Sequence, residues 1–181
     1  YKKYNVNISL AISTGININQ EDIDFLNYFY DNGGAILSHT INHYYYWGEN
    51  YSIAYNETLG SKKWLKENVV NLDSLKYAVS PFHSNKPYSV QALADAEYKG
   101  FISGIIHNDP EFLVATSGEV PFLSGKIVTH SQQCMLHGDC YHRRNNSIEI
   151  EKESFKNHYI SGKIFGYLDH PFGGYNYGWN S

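Results

Sequence analysis

Residues 5–14, Asn-Val-Asn-Ile-Ser-Leu-Ala-Ile-Ser-Thr, alternate between polar and apolar and then run apolar, which predicts a strand ending near Gly15. The next stretch predicts a helix. Asn19 suits its N-cap, acids fill its first turn, Ile23, Leu26 and Phe29 or Tyr30 make one face, and Gly33-Gly34 stops it. Residues 35–38, Ala-Ile-Leu-Ser, read as a short buried strand. A second helix is predicted over residues 52–68 and a strand over 75–82. Residues 87–99 predict a helix with Val90, Leu93 and Ala94 on one face and a stop at Gly100. Residues 101–106 and 125–130 read as strands, residues 147–159 as a polar helix capped by Ser147, and residues 163–168 as the last strand. Strands alternating with helices predict a mainly parallel α/β sheet or barrel. No internal repeat, low-complexity tract or linker divides the chain, so one domain over residues 1–181 is expected.

Composition narrows the function. A net charge of −4 lacks the basic stripe that a nucleic-acid grip requires. No run of about 18 apolar residues is present to span a membrane. The chain opens at Tyr1-Lys2-Lys3-Tyr4 without the pattern of a signal peptide, which leaves a missing leader or upstream domain open. Seventeen Tyr within a 16% aromatic share suit either an aromatic core or stacking on sugar rings. Cys134 and Cys140 flank a short loop around Gly138. They are read as a disulfide of an oxidising compartment, with two buried thiols as the alternative.

The chemistry concentrates at residues 36–47, Ile-Leu-Ser-His-Thr-Ile-Asn-His-Tyr-Tyr-Tyr-Trp. In parallel α/β folds, functional groups collect at the carboxyl ends of strands. His39 ends such a strand, and one helical turn is expected to bring His43 to the same side. Two imidazoles spaced this way can converge on one divalent ion, with zinc the usual choice for nitrogen ligands. The plainer alternative is a pair of hydrogen-bonded histidines at a strand end. Two ligands are also one fewer than a catalytic zinc site generally has.

Residues 33–43, Gly-Gly-Ala-Ile-Leu-Ser-His-Thr-Ile-Asn-His, resemble the second motif of the polysaccharide deacetylases, the NodB-homology domain of carbohydrate esterase family four. Other segments follow in the family's order. Residues 8–15 are similar to its second barrel strand, and Val79-Ser80-Pro81-Phe82 stands where the family has an Arg-Pro-Pro-Tyr-like groove wall. Residues 90–101 are similar to the helix and Gly-aromatic step that follow. Ile164 to Phe172 resemble the closing strand with its Leu-x-His.

This resemblance implies an α/β fold of the distorted, incomplete (β/α)7-type barrel kind. It implies that His39 and His43 are metal ligands, His170 the general acid, and Pro81 and Phe82 the groove wall. The implied activity is metal-dependent removal of N-acetyl groups from an amino-sugar polysaccharide, with zinc as the expected metal. The expected location is extracellular or in the cell envelope. Tyr175 and Trp179 are candidate sugar contacts, against the alternative of a packed aromatic C-terminus.

The sequence departs from the family at its first motif, Thr-Phe-Asp-Asp-Gly, which supplies a base and the third metal ligand. Aligning residues 11–15 with it puts Ser13 and Thr14 at the carboxylate positions. That would make the chain a non-catalytic carbohydrate-binding relative, since a hydroxyl neither replaces an anionic ligand nor takes a proton near neutral pH. The spacing instead suits residues 4–15 as the second strand, with the first strand and its aspartates expected upstream of Tyr1. Asp109 and Asp169 are the in-chain substitutes considered. The family's groove Arg is replaced by Val79 or Ser80, and its Asp-x-x-Trp is not evident. His130, His137 and His142 around the cysteines offer a structural-zinc alternative, without the usual ligand spacing. Sequons at Asn7, Asn56 and Asn145 carry little weight.

Overall fold

In the computed structural model, residues 8–69, 72, 75–83, 86–104, 118–119, 127–132, 134–135, 152, 156, 160 and 167–168 are described. Two compact units divide the chain, Tyr1–Ser103 with Pro110–His130, and Gly104–Asp109 with Ser131–Ser181.

The first unit is built on β1 (Ser9–Ile12), β2 (Ala35–Ser38), β3 (Tyr77–Val79) and β4 (Gly100–Gly104), paired in parallel in that order. Ser9 aligns with Ala35 and Ile12 with Ser38, Ser38 with Ala78, and Ala78 with Phe101. All four strands therefore end on the same side. Beyond β4 the sheet continues through β6 (Val128–Gln132) to β5 (Gly118–Glu119), an antiparallel pair. Across the described strands the order β1-β2-β3-β4-β6-β5 is that of an open sheet. In the second unit, β7 (Cys134–Met135) pairs in parallel with β8 (Tyr167–Leu168).

The helices follow local signals. α1 (Gln20–Asp31) begins in a capping box, in which Asn19 Oδ1 accepts from Asp22 N and Asp22 Oδ2 accepts from Asn19 N. It ends before Gly33, whose φ of 87° suits the left-handed turn-off. Leu26 and Phe29 are its buried residues. α2 (Tyr51–Asn68) is capped by Asn50 and packs on β2 and on α3 (Pro87–Asp95), which opens with Pro at N1.

The stop of α3 differs from the expectation. The helix closes at Asp95, and Glu97, with φ 60°, takes the left-handed position, while Gly100 opens β4. The N–H of Tyr98 reaches back to Leu93 O and satisfies the helix end without a glycine. Its buried face holds Val90, Ala92 and Leu93.

The core gathers Leu26, Phe29, Ile36, Trp47, Leu65, Leu93, Tyr98 and Phe101 between the sheet and these helices. Each large apolar side chain buried there contributes roughly 1.5–3 kcal/mol. No helix among the described residues is long and apolar enough to cross a membrane. Of the expected helix over residues 147–159, Lys152 and Lys156 are described and are helical, while the rest of it, and Cys140 of the expected Cys134–Cys140 pairing, lie outside the described residues.

Candidate metal centre at the strand ends

β1, β2 and β3 deliver Ser13, His39 and Ser80 to one side of the sheet, where ligand sites of parallel sheets form. The β1–β2 ladder runs on past the strands. His39 N donates to Ile12 O at 2.9 Å, Thr14 N to Thr40 O at 3.1 Å and Gly15 N to Ile41 O at 2.7 Å. Ser13 Oγ donates to His39 O at 3.0 Å.

The rings of His39 and His43 meet edge to face, with centroids 4.4 Å apart at 67°. The expected helical turn is not how they meet. Thr40 and His43 have φ of 65° and 53°, so the chain reverses through left-handed conformations that β-branched threonine rarely adopts. The reversal is held by side chains: Thr40 Oγ1 accepts from His43 N at 3.2 Å, and Ser38 Oγ from Thr40 N at 3.4 Å.

On the α2 side, Glu57 is 4% exposed. Its Oε2 accepts from Ile41 N at 3.0 Å and Asn42 N at 2.8 Å, and its Oε1 from Asn42 Nδ2 at 2.6 Å. Sequence reasoning missed this residue. The available signal was a carboxylate falling in register with Ala54, Ser61 and Leu65 on the buried stripe of α2.

The tautomer of His39 follows from its neighbour. Nδ1 lies 2.8 Å from Val79 O, and a carbonyl can only accept, so Nδ1 carries the proton and Nε2 the lone pair. A backbone carbonyl orienting one imidazole nitrogen in this way is the usual outer partner of a metal-binding histidine. Two imidazoles bound to one ion at about 2.0–2.1 Å have ring centres roughly 4.5–5.2 Å apart, depending on the ligand angle. The observed 4.4 Å falls just short of that range, and the imidazole donors themselves suit a divalent ion. Among the described residues, no group of three or more His, Cys, Asp and Glu is assembled for a metal.

After β3 the chain makes a 3₁₀ turn, Pro81–His83, with Phe82 at φ 51°. For a bulky side chain this is an outlier. It sets the Phe82 ring 4.5 Å from that of His43 and 5.3 Å from that of Tyr45. Tyr45 is 54% exposed, and Tyr44 and Tyr46 beside it stack on each other at 5.0 Å. Pro81 is buried, so the ring beside the histidines is that of Phe82. The described portion thus brings together His39, His43 and Phe82. His170, Tyr175 and Trp179 lie outside the described residues, as do Asp109 and Asp169.

No family model matches the sequence, and no curated protein does either. Solved structures do match. One is a protein of Mycobacterium smegmatis assigned to the polysaccharide deacetylases, with a TM-score of 0.68 at 12% identity over 94% of this chain and 60% of that one. Another is the carbohydrate deacetylase Agd3, with a TM-score of 0.55 at 14% identity over 81% of this chain and 27% of that one. A third is a mutant of a CE4 family pseudoenzyme, with a TM-score of 0.51 at 13% identity over 92% of this chain and 57% of that one. The chain thus spans about 60% of the length of the first of these. At 12–14% identity these matches speak for architecture, and the parallel order β1 to β4 with its helices agrees with it. This chain therefore has the polysaccharide deacetylase fold, carried by a sequence that has diverged far from the solved structures it matches.

Proposed function

We propose that the protein is a metal-dependent hydrolase that removes N-acetyl groups from an amino-sugar polysaccharide. The observation that carries this reading is the pairing of His39 and His43 at 4.4 Å, with His39 fixed by Val79 O at 2.8 Å. These two imidazoles would hold the ion, and zinc suits nitrogen donors best. Bound there, it would supply Lewis acidity to the acetamide carbonyl and to water.

The chain's own residues have separate tasks. Val79 O keeps the Nε2 lone pair of His39 available for ligation by holding the proton on Nδ1. Phe82 packs its ring against one side of the His43 ring. Together with exposed Tyr45 it offers ring faces on which a pyranose can stack. His170, assigned from the sequence, would donate the proton to the departing amine nitrogen as the C–N bond breaks. Tyr175 and Trp179 are proposed as further sugar contacts on the same ground. A polysaccharide substrate accords with the envelope or extracellular location inferred from the sequence.

One observation favours a second reading, a non-catalytic carbohydrate-binding relative. If residues 11–15 stand for the family's first motif, the β1 end beside the histidine loop supplies the hydroxyl of Ser13, bonded to His39 O, in place of a carboxylate. Acetate release separates the two. The protein is incubated with zinc and an N-acetylglucosamine oligomer, and free acetate is measured. Release that disappears in His43→Ala supports the hydrolase. Binding of the oligomer with no acetate formed establishes the second reading instead.

A further inference from the structure

We infer that Glu57 is a positioning residue for the metal centre: its carboxylate locks the Thr40–His43 reversal and so fixes the angle between the two histidine rings. This rests on the metal-binding reading above.

Glu57 projects from the middle of α2 and is nearly sealed from solvent, yet all three of its partners belong to two residues of the loop. Two successive N–H groups converge on one oxygen because Thr40, at φ 65°, turns them the same way. A left-handed threonine is unfavourable by itself, so something must hold it. The contacts of Glu57 are short, and hydrogen bonds to a charged acceptor are about twice as strong as neutral ones.

Packing closes the loop from both flanks. A Cβ at Gly60, one turn along α2, would lie 2.5 Å from Ile41 Cδ1. On the opposite flank a Cβ at Gly15 would lie 2.7 Å from Ile41 O and 2.9 Å from Asn42 Oδ1. The loop is therefore wedged between α2 and the end of β1, and Glu57 is the polar member of that wedge. The residues it grips sit between the two histidines in sequence, so releasing them changes how the rings face each other. A carboxylate meant only to satisfy the end of a helix would have no reason to be here, since Glu57 lies in a helix interior.

The test compares zinc affinity, by calorimetric titration of metal-free protein, with thermal melting and with amide exchange at Ile41 and Asn42. Glu57→Ala is expected to weaken zinc binding roughly 10-fold, the low end of what losing a ligand's own hydrogen-bond partner costs, since Glu57 holds the loop between the ligands and not a ligand. It should also accelerate exchange at those two amides while the amides of β2 stay protected. Glu57→Gln keeps an oxygen for the two N–H groups but turns its amide NH2 towards that of Asn42, so an intermediate, several-fold loss is expected. A folded Glu57→Ala with affinity within twofold of the parent and unchanged exchange overturns the inference. If that variant does not fold, the same result in Glu57→Gln overturns it. His39→Ala separates the two claims. If the parent takes up no zinc, or His39→Ala takes it up equally well, the metal reading fails. The inference for Glu57 fails alone when zinc binding needs His39 but is indifferent to residue 57.

Discussion

His39 Nδ1 donates to Val79 O across 2.8 Å, so the strand after α2 fixes the tautomer of the residue that follows the strand before it. The contact predicts which nitrogen bears the proton. At about pH 9, where an ordinary imidazole is neutral, the nitrogen-15 spectrum of metal-free protein should show protonated Nδ1 and unprotonated Nε2 at His39. The reverse pattern would contradict the role given to Val79.

Gly15 is where the histidine loop presses on β1. A Cβ there would meet Ile41 O at 2.7 Å and Ile41 Cγ2 at 2.8 Å, and the first of these is backbone that cannot turn aside. Gly15→Ala should destabilise the protein by about 1–3 kcal/mol, the range for overpacking. Urea unfolding of the two proteins measures it, and equal midpoints would contradict the close approach.

The capping box of α1 gives a milder expectation. Asn19→Ala removes the acceptor for Asp22 N, 3.1 Å away, and should lower stability by about 0.5–2 kcal/mol in the same assay.

That cap was legible in the sequence, and so was most of the framework, because the signals are local. Asn19, the acids after it and Gly33 mark α1, and the apolar run Ala35–Ser38 marks β2. The histidine spacing singled out the residues that the fold brings together. What escaped depends on contacts between distant segments. No local rule puts Thr40 in a left-handed conformation; it is held there by Ser38, by Glu57 seventeen residues on, and by the packing of Gly15. Glu97 takes the role expected of Gly100 because Tyr98 and Lys99 must turn back to Leu93 O and Lys76 O to start β4. The resemblance marked Phe82 as groove wall, but nothing local in the sequence foretells its strained φ of 51° or its place beside His43 and Tyr45.

Tyr98 predicts an alkaline weakness. Burial raises its phenol pKa well above the ordinary value, with a hydrogen bond from Ser38 opposing in part, while its hydroxyl donates to Thr58 O. In the unfolded chain a tyrosine ionises near pH 10, so above that pH the folded state holds one proton more. Its contribution is complete below pH 10 and declines as pH rises beyond, by up to about 1.4 kcal/mol per pH unit. Unfolding midpoints at about pH 9 and about pH 11 should fall further apart in the parent than in Tyr98→Phe. Equal shifts in both proteins would remove Tyr98 as the cause.

The most direct test of the account is calorimetric titration of zinc into metal-free parent, His39→Ala and His43→Ala. The account predicts one zinc per chain in the parent and, in each variant, a loss of affinity well beyond about tenfold, since a ligand is removed and not only its support. A parent that binds no zinc, or variants that bind it as tightly as the parent, would contradict it.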